Sequence, residues 1–187
     1  ESINLKYLLS ICSEKEKELW DQMSFGYTET YGSDILIESI SKTYERGSLD
    51  DILTFAGAEE GIYVSMKSIL KSDDHCIVIT PNYQSAQTIP CSICSVSCID
   101  LDPKNNWNID LDLLEKSIRP NTKLISINFP HNPTGKIISH QELNEIINLS
   151  RKHGLYLFSD EIYRLMERDQ AMRLTQISDI YEKGISL

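Results

Sequence analysis

The stretch Lys123-Leu124-Ile125-Ser126-Ile127-Asn128-Phe129-Pro130-His131-Asn132-Pro133-Thr134-Gly135 decides the fold. It opens as a short, nearly continuous apolar run rich in Ile. That is the composition of a parallel strand covered on both faces rather than the alternation of a half-solvated one. It continues as a turn stiffened by Pro130, Pro133 and Gly135, with Asn132-Pro133 a candidate cis bond. Runs of the same kind occur at Ile52-Leu53-Thr54-Phe55, Cys76-Ile77-Val78-Ile79-Thr80, Val96-Ser97-Cys98-Ile99-Asp100-Leu101 and Leu155-Tyr156-Leu157-Phe158-Ser159, and another opens at Gly184-Ile185-Ser186-Leu187.

Helical patterns separate these runs. Ser139-His140-Gln141-Glu142 reads as a capping box, followed by the apolar stripe Leu143, Ile146 and Ile147. Arg151 and Lys152 suit the C-terminal dipole, and Gly154 suits the stop. Residues 34–46 and 59–71 also read as helices, the second burying Ile62, Met66, Ile69 and Leu70. Strands alternating with helices predict an α/β fold, a mostly parallel open sheet with helices on both faces.

The chain has 187 residues and a formal net charge of −10, with 41% hydrophobic and 25% charged residues, an ordinary globular composition. An acidic balance argues against nucleic acid or an anionic membrane as partner, since both require a basic footprint. The acidic stretch Glu14-Lys15-Glu16-Lys17-Glu18 also argues against a DNA-binding N-terminus. No apolar run approaches the roughly 18 residues that span a bilayer, and Glu1-Ser2-Ile3-Asn4 lacks the basic and apolar regions of a signal peptide. A cytoplasmic location is expected. Five cysteines, an odd number, read as reduced thiols. Cys91, Cys94 and Cys98 lack a neighbouring fourth ligand and read as small packing residues, with no metal site expected.

In an open α/β sheet the chemistry gathers at the C-terminal ends of the strands. After Phe55 the small-residue turn Ala56-Gly57-Ala58-Glu59 opens a helix whose free N–H groups suit a phosphate. Pro81-Asn82-Tyr83 holds an aromatic ring at the same rim. Asp160 follows a buried strand directly, a costly placement unless the carboxylate meets a cation or a donor. If a helix begins there, Asp160 and Tyr163 share a face.

The Asn128-Phe129-Pro130-His131-Asn132-Pro133-Thr134-Gly135 segment, with Ser159-Asp160-Glu161-Ile162-Tyr163, closely resembles the class I/II aminotransferases, the fold-type-I pyridoxal phosphate enzymes. Tyr27 with Gly32, Gly57-Ala58-Glu59-Glu60 and Pro81-Asn82-Tyr83 follow in the family's order. The resemblance implies amino-group transfer between an amino acid and a 2-oxo acid. It makes Asp160 the carboxylate that pairs with the pyridine nitrogen of pyridoxal 5′-phosphate, keeping the ring an electron sink. Asn132 and Tyr163 become donors to the phenolic oxygen, and Tyr83 the aromatic stacked on the ring. Gly57, Ala58 and Glu59 bring N–H groups to the phosphate. Tyr27 reaches the phosphate of a neighbouring subunit, which implies a homodimer.

Two departures from the family pattern stand out. Ala86 takes the place of a second aromatic, and Glu59 that of a hydroxyl or amide, so Glu59 is expected to offer only its N–H. The family's Schiff-base lysine is expected after the strand that Ile185 opens, and Lys183 precedes that strand. The chain therefore reads as the first half of such an enzyme, residues 1–33 being an N-terminal segment and 34–187 a partial cofactor-binding domain. On its own it is expected to be inactive and to retain cofactor poorly. A compromised sheet edge near residues 52–55, with exposed apolar surface, is also expected. A C–S β-lyase, a decarboxylase or a cyclase of the same fold, or a non-catalytic fragment that binds no cofactor, remains open at the level of sequence.

Overall fold

The computed structural model describes residues 2–187. Five strands form one sheet: β1 (His75–Thr80), β2 (Ser95–Asp100), β3 (Thr122–Asn128), β4 (Tyr156–Asp160) and β5 (Gly184–Ser186). Their order is β2-β1-β3-β4-β5, and every pairing is parallel. The predicted strands are therefore present within a residue or so, with one exception.

Eight helices accompany them among the described residues: α1 (Leu5–Ile11), α2 (Glu14–Asp21), α3 (Asp34–Ser41), α4 (Ala58–Ile69), α5 (Gln84–Cys91), α6 (Leu111–Lys116), α7 (His140–His153) and α8 (Ile177–Ile180). The pleat sends alternate residues to opposite faces. Cys76, Val78, Leu124 and Phe158 meet Ile62 and Met66 of α4, with Ile89 of α5 alongside. Ile77, Ile79, Ile125, Ile127 and Leu157 meet Leu114 of α6, Leu143, Ile146 and Ile147 of α7, and Ile177 of α8. The inner strands β1, β3 and β4 are covered on both faces, which is why their sequences are apolar without alternating, whereas the edge strand β2 is largely exposed.

α7 is built as its sequence requires. The Ser139 hydroxyl accepts the Glu142 N–H at 3.1 Å, and the Glu142 carboxylate accepts the Ser139 N–H at 2.7 Å. Gly154 ends the helix at φ 67°, a left-handed conformation that costs side-chain-bearing residues about 1–2 kcal/mol.

The run Ile52-Leu53-Thr54-Phe55 corrects its prediction: it is no strand of this sheet. The Ile52 N–H turns back to the Leu49 carbonyl at 3.3 Å, the Thr54 N–H and hydroxyl both donate to the Tyr31 carbonyl at 2.9 and 3.0 Å, and no strand lies beside the run to complete a ladder. Instead the run borders a groove of about 770 Å³, whose other wall is β5 with Ile185 and Leu187. The helix expected over 34–46 stops at Ser41, because the following turn is held elsewhere. The Asp179 carboxylate accepts the N–H groups of Glu45 at 2.9 Å and Arg46 at 2.8 Å, and Arg164 donates to the Thr43 carbonyl at 2.7 Å.

The cysteine expectation holds in part. Cys76 is buried and Cys94 packs against the α4 side of the core, but Cys91 and Cys98 are exposed. Among the described residues no group of three or more His, Cys, Asp or Glu could hold a metal ion. No helix of the described residues is long and apolar enough to cross a membrane.

Candidate functional site

Every predicted site residue except Tyr27 follows a strand end or starts a helix at one rim of the sheet. The centre of that rim is Asn128, a buried residue at the end of β3. Its Oδ1 accepts the Asn132 backbone N–H at 2.8 Å, and its Nδ2 donates to the Asp160 carbonyl at 2.7 Å. One side-chain amide thus joins the loop carrying Asn132 to the strand carrying Asp160. The β3–β4 register sets Asn128 opposite Asp160, so the two neighbours share a face. It is the face packed by α4 and α5, where the turn at Gly57 and the residue Tyr83 also lie.

Asp160 is 6% exposed. Its carboxylate accepts the Ile162 N–H at 3.2 Å, and burial raises its pKa above the ordinary carboxylate value, with only that bond opposing the rise. Among the described residues no cation offsets the charge. A buried carboxylate with one donor and no counter-ion is suited to a cationic partner brought from outside the chain, such as a protonated ring nitrogen.

The loop after β3 is rigid. Its Phe129–Pro130 and Asn132–Pro133 bonds are both cis, the second as expected, and Thr80–Pro81 is cis as well. His131 Nδ1 pairs with the Thr134 hydroxyl at 2.8 Å, and the Gly135 N–H returns to the His131 carbonyl at 2.8 Å. Burial lowers the His131 pKa, so the ring is neutral near pH 7. Its Nε2 is buried without a hydrogen-bond partner among the described residues.

Tyr83 is the N-cap of α5 and 48% exposed. Ala86, in the place of a second aromatic, is buried in the helix seat and offers no second ring. Gly57 is the N-cap of α4 and makes no side-chain cap; the Glu60 N–H turns to the Gly57 carbonyl at 3.1 Å, and the N–H groups of Ala58 and Glu59 face no side-chain cap. The Glu60 carboxylate turns back to the Ala56 N–H at 2.8 Å, while Glu59 is exposed, consistent with a contribution through its N–H alone.

Tyr163 lies in a turn rather than a helix, which corrects the expected geometry. The Ile162 N–H is drawn to the Asp160 side chain, the Arg164 N–H bonds the Glu161 carbonyl at 2.8 Å, and Leu165 has φ 76°, so no helix can propagate. Tyr163 still falls on the rim side, 39% exposed. Tyr27 is not brought to the site of its own chain: it stands fully exposed on the N-terminal segment. Lys183 lies at the opposite end of β5, its ammonium on the Gly154 carbonyl at 2.8 Å.

Sequence reasoning assigned no role to Asn128. Its signal was present, a polar residue closing an otherwise apolar strand. That signal does not distinguish an amide bridging two elements from one capping a turn.

Comparison with known proteins agrees with this fold. The family model described as aminotransferase class I and II matches residues 6–183. The "Probable kynurenine--oxoglutarate transaminase BNA3" of Saccharomyces cerevisiae is 32% identical over 184 residues, covering 88% of this chain and 41% of the relative. The glutamate-pyruvate aminotransferase AlaA of Escherichia coli is 33% identical over 153 residues, covering 78% of this chain and 38% of the relative. The crystal structure of a PLP-dependent aminotransferase from Streptococcus suis superposes with a TM-score of 0.90 at 29% identity, covering 100% of this chain and 50% of that one. The chain spans about two fifths of the curated relatives and half of that structure. The 187 residues belong to the class I and II aminotransferase family.

Proposed function

We propose that this chain is the ring-binding half of a pyridoxal 5′-phosphate-dependent aminotransferase that moves an amino group between an amino acid and a 2-oxo acid. The observation that carries this reading is Asp160, buried without a cation and tied through Asn128 to Asn132. When bound, the cofactor supplies an electron sink for the charge left when a proton departs from the amino acid's α-carbon.

The chain's residues do the rest by holding and aiming. Asp160 keeps a proton on the ring nitrogen, because two opposite charges in a low-dielectric pocket stabilise each other. Tyr83 covers one ring face, an offset contact contributing about 0.5–1.5 kcal/mol beyond its buried area. The amide of Asn132 and the hydroxyl of Tyr163 donate to the phenolic oxygen. The N–H groups of Gly57, Ala58 and Glu59 at the start of α4 receive the phosphate. Tyr27, exposed on the N-terminal segment, reaches the phosphate of a second copy in a homodimer, with residues 1–33 forming that arm and 34–187 the partial cofactor domain. These contacts hold the ring without a covalent bond, so its binding to the 187 residues is weak and reversible.

Pyridoxine 5′-phosphate tests this, since it carries the ring and phosphate but no aldehyde to react with surface lysines. Titrated into the chain and followed by ring fluorescence, it should bind saturably and be lost on gel filtration. Asp160→Ala should weaken binding at least about tenfold with an unchanged circular dichroism spectrum. No binding at millimolar ligand, or equal binding by both proteins, would overturn the reading.

A further inference from the structure

Glu161, the residue after the candidate ring-binding carboxylate, has been given no part so far, yet it is the most tightly tied side chain at this rim. Its N–H donates to the Leu187 carbonyl at 2.8 Å. Its Oε1 accepts the Ile177 N–H at 3.1 Å and the Ser186 hydroxyl at 3.2 Å. Ser186 Oγ in turn accepts the Ser178 N–H at 3.1 Å. A single residue therefore joins the end of β4, the end of β5 and the first turn of α8.

The consequence falls on Asp160. Its carboxylate has one donor, the Ile162 N–H at 3.2 Å, and that N–H belongs to the peptide between Glu161 and Ile162. Strand alternation sends Asp160 to the α4 side and Glu161 to the α8 side. With Glu161 anchored at both its main chain and its side chain, this peptide cannot rotate freely.

We propose that Glu161 is the positioning residue of Asp160: by tying the end of β4 to Ile177 and Ser186 it fixes the Ile162 N–H against the Asp160 carboxylate and so aims that carboxylate at the cofactor ring nitrogen. The last step rests on the cofactor reading of Asp160, and the clamp itself does not. Burial pushes the Glu161 pKa up to about 7. Either protonation state leaves Oε1 an acceptor, so the tie survives titration and a glutamine can replace it.

The test combines residue-resolved amide hydrogen exchange on the 187-residue chain with pyridoxine 5′-phosphate titration, comparing Glu161→Ala with Glu161→Gln. In Glu161→Ala, exchange at Ile162 and Ile177 should accelerate about tenfold and affinity should fall about tenfold. Glu161→Gln should restore both. A clip that serves only the α8–β5 junction would release Ile177 while leaving Ile162 and affinity unchanged, and that result overturns the proposal. So does a glutamine variant that behaves at Ile162 like the alanine one. If Glu161→Ala does not fold, Ser186→Ala removes one of the two Oε1 donors and should give a smaller acceleration at Ile162; none would count against the clamp. Should the parent fail to bind pyridoxine 5′-phosphate, the cofactor reading fails while exchange at Ile162 still decides the grip of Glu161.

Discussion

Asp160 is poorly suited to the chain alone and well suited to a cationic ligand, and the two properties can be separated. Its pKa is raised by burial, so folding disfavours the charged form relative to the unfolded chain. A raised folded pKa contributes stability that is complete below the unfolded value and disappears as pH rises through the folded value. Asp160→Asn, a neutral isostere, should therefore raise the melting temperature at pH 7 and leave it unchanged near pH 3. It should also weaken pyridoxine 5′-phosphate binding. Greater stability with unimpaired binding would mean that the carboxylate is not a ligand group. Asn128 predicts the opposite balance. Asn128→Ala strands the Asn132 N–H and the Asp160 carbonyl together, and leaving a buried polar group unpaired costs about 1–3 kcal/mol. Thermal unfolding should show that loss, with Asn132 and Asp160 no longer held in register and affinity falling as well. Asp160 was legible in the sequence because a carboxylate directly after an apolar strand is anomalous. Asn128 was not, because its importance lies in two partners distant in sequence, which only the strand register reveals.

At the scale of elements, the α7 cap and all five strands could be read directly, because their signals are local: a Ser–Glu pair three residues apart, or an apolar run of strand length. The 52–55 run has the same composition yet joins no ladder, since a strand is defined by its neighbour and none lies within reach. The loss of helix after Ser41 has a similar origin in distant groups, Asp179 and Arg164, that claim the following turn. Glu161 shows what such junctions do to pH dependence. Its pKa rises from 4.5 to about 7 because burial outweighs the hydrogen bonds from Ile177, Ser159 and Ser186 and the charge of Arg164. Tyr44 is pushed above its ordinary value by burial and by the charges of Glu161 and Asp179, and stays neutral throughout this range. The sign follows: stability from Glu161 is full below about pH 4.5 and lost as pH rises through about 7, by at most roughly 3 kcal/mol and less to the extent that water reaches the side chain. Chemical denaturation from pH 4 to 8 should show the parent losing stability relative to Glu161→Gln over that window. Parallel curves would show that the carboxyl is solvated.

For the whole molecule the dominant facts are a covered sheet and an uncovered flank. α1 and α2 bury no residue, Phe25 and Tyr27 stand in solvent, and the groove between residues 52–55 and β5 presents Ile52, Phe55, Ile185 and Leu187. Apolar surface of this kind favours association. A net charge of −10 opposes it, because two copies brought together repel. The two forces respond differently to salt. Screening shortens the Debye length from about 10 Å at 0.1 M to about 3 Å at 1 M, which removes the repulsion and leaves apolar contact intact. Self-association measured by sedimentation velocity should therefore increase across that range, whereas an assembly held by ion pairs would dissociate. Removing residues 1–25 takes away exposed side chains that support no core, so melting should hardly change while association weakens. If the N-terminal arm instead folded back on its own domain, the truncated chain would melt lower and associate more. A protein that stays monomeric in both salts would show that the flank does not drive assembly, and the homodimer proposed here would lose its physical basis.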